Sequence, residues 1–433
     1  MIISTPFVRG NERIITEFPD ALSEENAYLP SVAYIPLQQQ GAELKPVVAQ
    51  GDSVREGQLI ARALGESSAH VHSPIPGILE CYRPVPMPDG TTSTAAVVRL
   101  SGSFDIIGRK EENYPWEYVS ETEIVRVLED KGVINTFSDP VPLVPSLRKA
   151  RQTGSQSLML RLFDPDPTCR LDSLLVKSRL PSILEGTALI AKSMNAGSVY
   201  ILYNTKHSML PATSELESLF PGKKLVQIKC PHIYPSGNSE HFKNILKKNP
   251  EKNQTSPVMI DPVCAISSYE AVVRNHPVMY RYVLFSGPSL IKPAVLKCRI
   301  GTPIGDLIEE CGGFKTTPSR IVINGLITGN SVYDLDTPIT AYTKSVHIMD
   351  HDTCPEYRIH DCIHCGLCLG VCPSHIDPMG TVSGIRKESF TDDVKSAIKE
   401  CQHCGCCAMV CPSRIPLHHI IHEAGTRIME ANR

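Results

Sequence analysis

The sequence has no long apolar segment, no excess of basic residues and no export signal, and each absence excludes a class of protein. No run approaches 18 apolar residues, so we expect no membrane-spanning helix. The 43 basic and 46 acidic residues give a formal net charge of −3, which argues against a nucleic-acid binder held by a basic surface. The first residues, Met1 to Pro6, contain no basic region followed by an apolar core, so they predict no secretory signal.

The composition is that of a globular protein. Hydrophobic residues make up 42% and charged residues 21% of the 433 positions, which excludes the disordered and collagenous classes. A chain of this length is expected to form about three domains, each able to bury a core.

Cysteine is abundant and unevenly distributed. Disulfides are not expected among the 16 cysteines, because the cytosol keeps thiols reduced. Seven are scattered and suit small buried positions: Cys81, Cys169, Cys230, Cys264, Cys298, Cys311 and Cys354. The other nine fall between residues 362 and 411, and that concentration requires a chemical explanation.

The N-terminal part of the chain predicts an extended lead-in followed by short strands. Residues 1–30 show little periodicity. Over residues 31–105, two groups of brief apolar runs are separated by turn signals such as Gly51-Asp52. This pattern is typical of a barrel-sandwich hybrid, the fold of lipoyl and biotinyl carriers. A carrier needs a modifiable lysine between its halves, but residues 58–80 contain none, so we interpret this module as structural.

The middle of the chain, residues 115–290, predicts an α/β domain. A helical apolar pattern near residue 124 stops at Gly132. Helices starting at Pro181 and Ser214 each lead directly to a strand, an order that predicts an at least partly parallel sheet. Residues 294–345 then show the strand–helix–strand order of a small β-grasp unit.

The last segment, residues 356–433, holds the nine clustered cysteines and ends in a helix. Residues 361–376 read DCIHCGLCLGVCPSHI, and residues 400–415 read ECQHCGCCAMVCPSRI, an internal repeat with an offset of 39. Both copies have the C-x2-C-x2-C-x3-C-P spacing of bacterial two-cluster ferredoxins, in which the fourth cysteine of one run ligates the other cluster.

The spacing assigns every ligand of two 4Fe–4S clusters. Three closely spaced thiolates hold one cluster, while the following proline stops the turn so that the fourth cysteine crosses over. The first cluster is assigned to Cys362, Cys365, Cys368 and Cys411, and the second to Cys372, Cys401, Cys404 and Cys407. We expect Gly366 and Gly405 to let the backbone bend towards the clusters, and Ile376 and Ile415 to shield them from water.

The same segment also raises the questions of zinc binding and of the roles of its remaining cysteine and histidines. Zinc sites use C-x2-C pairs with longer spacers and accept histidine ligands, a pattern that two triplets with a trailing C-P do not match. Cys406 falls outside the repeat and is expected to pack beside a cluster without ligating it. His364 and His403 lie inside the loops, where they either tune a cluster or are solvated polar residues, and we favour the solvated interpretation.

Taken together, these segments resemble the C subunit of Rnf complexes, the membrane-bound ferredoxin:NAD⁺ oxidoreductases that move Na⁺ or H⁺. The resemblance covers roughly residues 31–430. It is carried by residues 35–52, 72–77, 269–273, 300–304 and 311–314 and by the cysteine repeat. It implies a multidomain α/β protein with a barrel-sandwich hybrid, a domain like the 51-kDa subunit of respiratory complex I, an SLBB-like β-grasp unit and a ferredoxin-like helical tail.

In that family the middle domain carries a glycine-rich loop for FMN and NADH, and here the loop is degenerate. The corresponding residues 129–142 keep one glycine, Gly132, and contain two prolines that cannot donate a hydrogen bond. The family's acidic segment corresponds to residues 161–167, which keep two acids, Asp164 and Asp166. We therefore expect these three residues to be the remnant of an FMN/NADH site that binds its cofactor weakly or not at all.

The resemblance implies a peripheral electron-transfer subunit on the cytoplasmic face of the bacterial cell membrane. It would contact the membrane subunits and the iron–sulfur B subunit, with ferredoxin, flavodoxin or NADH as the redox partner and no catalytic side chain of its own. Two alternatives stay open at this point. One is a soluble cobalamin-reductase-like iron–sulfur flavoprotein, and the other is a non-catalytic assembly subunit whose clusters hold the tail folded.

Overall fold

The computed structural model describes residues 22–431, except residues 40, 103–112, 139, 155–156, 205–212, 231–233, 236, 238–256 and 355–357. Most of the predicted lead-in, residues 1–21, lies outside the described residues. Within the described part of the chain, no helix has both the length and the apolar character needed to cross a membrane.

The N-terminal module consists of two facing antiparallel sheets. After a first short strand, β1 (Glu24–Asn26), its strands are β2 (Val32–Pro36), β3 (Gln38–Gln39), β4 (Ala42–Pro46), β5 (Ser53–Val54), β6 (Leu59–Ala63), β7 (Val71–His72), β8 (Gly77–Pro86) and β9 (Thr92–Leu100). The sheet orders are β2-β9-β8-β5 and β3-β4-β6-β7. Ile35, Ile60 and Leu79 are fully buried between them. The predicted barrel-sandwich arrangement is confirmed.

The middle of the chain forms a four-stranded parallel sheet flanked by helices. Its elements are α1 (Glu121–Asp130), β10 (Ile134–Asn135), β11 (Val141–Pro142), α2 (Leu143–Thr153), β12 (Ser157–Arg161), α3 (Leu171–Ser193), β13 (Ser198–Tyr203), α4 (Thr213–Leu219), β14 (Lys224–Lys229), β15 (Val258–Ile260) and α5 (Pro262–Val272). The parallel order is β14-β13-β12-β15. Because the strand order reverses between β12 and β15, their carboxyl ends meet at a topological switch point, where such sheets bind ligands.

Helix α3 begins earlier than the sequence predicts. The predicted start at Pro181 lies inside the helix, which extends back to Leu171. Arg179 has non-helical dihedral angles (φ −128°, ψ 19°), so two straight segments meet at a kink. Proline lacks the N–H for a helical hydrogen bond and clashes with the preceding turn, which accounts for the kink and for the apparent start at that residue.

The next unit is a six-stranded mixed sheet with one helix. Its remaining elements are β16 (Tyr280–Ser286), β17 (Ala294–Arg299), α6 (Ile304–Glu310), β18 (Arg320–Ile323), β19 (Asn330–Val332) and β20 (Ser345–Met349), in the sheet order β1-β17-β16-β20-β18-β19. Two predictions need correction here. First, we expected a domain boundary between residues 290 and 294, which would separate β16 from β17, but these strands pair side by side in antiparallel register. Second, β1 lies in the segment that we expected to be a lead-in, yet it is an edge strand of this sheet.

The C-terminal segment is helical. It contains α7 (Leu367–Gly370), α8 (Pro378–Arg386), α9 (Asp392–Glu400), α10 (Cys406–Met409) and α11 (Leu417–Ala431). The carboxylate of Asp377 accepts hydrogen bonds from the first amides of α8, and the hydroxyl of Thr391 does so for α9. Val382, Ile398 and Ile421 form the small core that joins these helices.

We predict that Gly132 is required for chain packing. It ends α1 with φ +70°, and a Cβ there would lie 2.2 Å from the carbonyl oxygen of His70. Gly154 ends α2 with nearly the same φ (+67°), but a Cβ there would meet nothing within 4 Å. Gly132→Ala should therefore destabilise by about 1–3 kcal/mol more than Gly154→Ala, measured as the difference in thermal unfolding. Equal losses would contradict the close approach.

Candidate metal centre

The two cysteine loops have the same backbone conformation. We call residues 361–376 the first cluster loop and residues 400–415 the second. Each has three left-handed residues at corresponding positions, with matching φ angles: His364 and His403 (55° and 51°), Gly366 and Gly405 (72° each), and His375 and Arg414 (55° each). The sequence repeat is therefore a structural repeat, with α7 and α10 as the equivalent short helices.

The loops enclose two cavities, and each cavity is lined by one of the predicted cysteine quartets. The first cluster site is lined by Cys362, Cys365, Cys368 and Cys411. The second cluster site is lined by Cys372, Cys401, Cys404 and Cys407. In both sites the fourth cysteine comes from the other loop. The structure thus brings the residues together in the crosswise arrangement that the spacing predicts.

A pair of serine hydrogen bonds fastens the loops to each other. The hydroxyl of Ser374 in the first loop donates to the carbonyl oxygen of Glu400 (2.7 Å), the residue before Cys401. Ser413 in the second loop donates to the carbonyl oxygen of Asp361 (2.8 Å), the residue before Cys362. The sequence alone gave these serines no role, although both follow a Cys-Pro pair. Each bond holds the crossing cysteine beside the other loop.

The donor sets fit 4Fe–4S clusters better than single metal ions. A zinc ion binds thiolate sulfur at about 2.3 Å, so its four ligands crowd together. Among the described residues, no three His, Cys, Asp or Glu side chains are grouped closely enough to hold a single ion. A cubane is larger, and it takes four thiolates from around an open cavity. Counting the space at their mouths, the cavities measure about 1030 Å³ for the first site and 330 Å³ for the second.

Burial keeps several of these thiols neutral in the metal-free loops. It raises the pKa of Cys401 to about 11 and that of Cys407 to about 12. Iron binds the thiolate form and deprotonates a coordinating thiol outright. Loading of the second site is therefore expected to release protons and to be coupled to folding of the loop.

The two sites differ in exposure. Around the first site Cys365 is exposed, and it is surrounded in sequence by exposed apolar side chains: Ile359, Ile363, Leu367 and Leu369, which are 59%, 67%, 47% and 52% exposed. His364 is also exposed, as the solvated interpretation expects, whereas His403 is half-buried against the ring of His422, so the interpretation fails there. The first site consequently presents a solvent-facing apolar surface.

The second site is docked on the body of the protein. Ile327, in the bridging loop (residues 324–329), packs against Gly405 of the second cluster loop. A Cβ placed on Gly405 would lie 2.9 Å from Cγ2 of Ile327. The hydroxyl of Tyr234 donates to the carbonyl oxygen of Cys404. Cys406 lines neither cavity and is buried with Tyr234 and Ile327, which places it outside both ligand sets.

The bridging loop also contacts the end of β12. The amide of Ile327 donates to Asp166 (3.3 Å), and the amide of Leu326 donates to the hydroxyl of Thr168 (2.8 Å). The same loop thus touches the second cluster site on one side and, on the other, Asp166, a residue predicted to be a cofactor remnant.

The three residues predicted to be cofactor remnants have structural partners. Asp164 accepts hydrogen bonds from the amides of Asp172 (2.8 Å) and Ser173 (2.9 Å), so it caps the start of α3. Asp166 is buried and also accepts from Thr168. Gly132 lies against the carbonyl of His70. These contacts explain each residue without a ligand.

The switch point itself holds a buried ionic network that the sequence did not reveal. The ammonium of Lys344 donates to Asp261 (2.6 Å) and Asp172 (3.1 Å), and Thr136 also donates to Asp261 (2.8 Å). Both carboxylates are completely buried, and the Lys344 side chain is 13% exposed. Although burial lowers it, the two carboxylates raise the pKa of Lys344 overall, which keeps the ammonium charged.

Arg161 at the end of β12 completes this network. Its guanidinium is 1% exposed, lies 3.8 Å from Asp172, and donates to the carbonyl oxygens of Phe137, Phe163 and Gly237. A flavin or nucleotide phosphate at this edge would need free N–H donors or a free cation. Arg161 and Lys344 are both committed to buried carboxylates or carbonyl oxygens. Neither of these two side chains is therefore free to bind the phosphate of FMN or NADH.

We predict that serine variants will reveal the crosswise ligation. Cys411→Ser should perturb the same cluster as Cys365→Ser, although the two cysteines lie on different loops, because both line the first site. Cys372→Ser should match Cys404→Ser. The measurement is the electron paramagnetic resonance spectrum of each reduced variant together with its iron content. A Cys411→Ser spectrum that matched Cys404→Ser would contradict the assignment.

Two parts of the chain match models of known domain families. Residues 19–103 match the RnfC barrel sandwich hybrid domain, and residues 361–415 match the 4Fe-4S dicluster domain. Among solved structures, two of an NAD⁺-reducing NiFe-hydrogenase, H₂-reduced and air-oxidised, overlap 73% and 76% of this chain and 61% and 72% of theirs. Their identities are 14% and 13%, and their TM-scores are 0.48 and 0.49.

Curated relatives match most of the chain, and each is the C subunit of a complex. That of the proton-translocating ferredoxin:NAD(+) oxidoreductase complex of Clostridium ljungdahlii is 25% identical over 82% of this chain and 78% of its own length. That of the ion-translocating oxidoreductase complex of Rhodobacter capsulatus is 26% identical over 82% and 70%. That of the Na(+)-translocating ferredoxin:NAD(+) oxidoreductase complex of Acetobacterium woodii is 23% identical over 81% and 80%. Over about four fifths of its length the chain is thus similar to the C subunits of ion-translocating oxidoreductase complexes.

Proposed function

We propose that this chain is a peripheral electron-transfer subunit of an Rnf-type ion-translocating oxidoreductase complex. The observation that carries the proposal is the pair of interlocked sites, each lined by four cysteines from two loops. The relatives compared above are all named as complex subunits, which favours this function over a cobalamin-reductase-like flavoprotein or an assembly subunit.

The chain's own residues hold, separate and shield the two redox centres. When bound, a 4Fe–4S cluster accepts and returns electrons. The eight cysteines supply its ligands, and Ser374 and Ser413 keep the loops in register. Ile376 and Ile415 are 7% and 2% exposed and line one cavity each, where they exclude water. No side chain is required to form or break a bond.

The exposed first site is where a partner exchanges electrons in this proposal. Cys365 lies at the surface among exposed apolar side chains, so a partner can approach the first cluster closely. Burial of such apolar surface is a common driving force for association. The proposed neighbours are the membrane subunits and the iron–sulfur B subunit on the cytoplasmic face of the membrane, with ferredoxin or flavodoxin as the soluble redox partner.

The proposal includes no FMN or NADH on this chain. A cofactor at the switch point would have to displace the ion pairs of Lys344, and removal of one partner from a buried ion pair is strongly unfavourable. The bridging loop closes on Asp166 beside the same edge. Electrons therefore pass between the clusters and neighbouring subunits without a flavin in this chain.

The Lys344 network has a direct stability test. Lys344→Met would leave Asp261 buried without its ion-pair partner and Asp172 with Arg161 alone, and breaking a buried ion pair typically costs about 3–5 kcal/mol. Chemical denaturation of the purified variant should show that loss, and it should also show no FMN binding in a fluorescence titration. The control is Lys315→Met, because Lys315 is exposed. A neutral Lys344→Met, or one that binds FMN like a flavoprotein, would contradict the network's role.

The electron-transfer function has a separate test in the isolated subunit and in the complex. In anaerobic, cluster-loaded subunit, reduced ferredoxin should bleach the cluster absorbance, whereas NADH alone should not, because the proposal places no flavin on this chain. In the detergent-solubilised complex, the clusters should be reduced and reoxidised during turnover. Clusters that never change redox state in an active complex would indicate a structural role instead.

A further inference from the structure

The repeat relates the residues that line the two cluster sites. Adding 39 to a residue number of the first repeat gives its counterpart in the second. The apolar lining follows this rule, because Ile415 and Leu417 line the first site, whereas Ile376 and Pro378 line the second. Two positions break the chemical symmetry, and one of them is the pair of Ile363 in the first site and Gln402 in the second. At the other, Met379 lines the first site, and its counterpart His418 lines the second.

His418 is a buried residue whose ring nitrogens lack hydrogen-bond partners in the described part of the chain. The residue is 7% exposed, and neither ring nitrogen has a hydrogen-bond partner among the described residues. Its ring contacts that of His419, with centroids 4.0 Å apart, and its Cε1 would lie 3.7 Å from a Cβ at Gly405. Buried polar groups in folded proteins are almost always hydrogen-bonded, so a missing partner in a site for a cofactor indicates that the cofactor supplies it.

The chemistry of the second site identifies that partner. Cys401, Cys404 and Cys407 line the same cavity as His418, and a bound cluster would add sulfide ions. Imidazole has at least one N–H in either protonation state, so it can donate to sulfur whether or not it carries a charge. Methionine, the counterpart in the first site, has no such donor.

We infer that His418 donates an N–H···S hydrogen bond to the second cluster and thereby raises its reduction potential. Reduction adds negative charge to the cluster, and a donor stabilises that charge more than it stabilises the oxidised form. The inference rests on the proposed cluster function and deepens it, because it gives one of two otherwise similar clusters a separately tuned reduction potential. His418 is a positioning and tuning residue and not a ligand.

The test exchanges the two counterparts in the full-length, anaerobically purified chain. His418→Met should lower one of the two cluster midpoint potentials by the equivalent of about a tenfold change in the reduced-to-oxidised ratio, 59 mV for a one-electron couple. The other potential should stay unchanged. Met379→His should move the potential that His418→Met leaves alone. His351→Met is the control, because His351 is exposed and lies outside both cluster loops, and it should move neither.

A spectroscopic measurement covers the case in which His418→Met loses its cluster. Wild-type protein with nitrogen-15 histidine should show a histidine nitrogen coupled to one reduced cluster in pulsed electron paramagnetic resonance. His418→Gln, which keeps an N–H donor, should preserve the potential better than His418→Met. Unchanged potentials in an iron-replete His418→Met variant, or no histidine coupling in the wild type, would overturn the inference while the electron-transfer function stands. Wild-type protein without clusters would instead refute the proposed function.

Discussion

The structure depends on the crossing of one cysteine from each loop into the site of the other loop. Cys411 completes the first site and Cys372 the second, so neither site can exist unless both loops are folded against each other. The serine hydrogen bonds to Glu400 and Asp361 enforce the same crossing through the backbone. Since binding of iron to buried thiols is coupled to folding, the clusters and the helical tail are expected to form a single cooperative unit.

Among the described residues, the body of the protein contacts that unit at the second cluster site. The second site contacts the bridging loop and Tyr234, whereas the first site is open to solvent. The bridging loop also contacts Asp166, next to an edge of the sheet where related architectures bind ligands. In this chain Arg161, Lys344 and their carboxylates fill that edge, and the bridging loop beside it packs against the second cluster site.

Features that depend on a local sequence pattern could be predicted, whereas contacts between residues far apart in the chain could not. The ligand quartets were predictable, because the spacing in each loop assigns three thiolates to one cluster and the cysteine before proline to the other. The Lys344 network was not, because its partner Asp172 lies 172 positions away in the chain. The pairing of β16 with β17 was also missed, because the connection between these two strands was interpreted as a domain boundary. His418 was overlooked in favour of His364 and His403, because only the fold shows that a helix after the loop carries the buried imidazole.

The central claim is that two interlocked sites carry iron–sulfur clusters in a chain without flavin. The most direct measurement is the content of iron, acid-labile sulfide, zinc and FMN in the anaerobically purified full-length protein. We expect about eight irons and eight sulfides per chain, as two 4Fe–4S clusters require, with neither zinc nor stoichiometric FMN. A colourless protein that contains zinc in place of iron would contradict the cluster assignment, and FMN near one per chain would contradict the closed switch point.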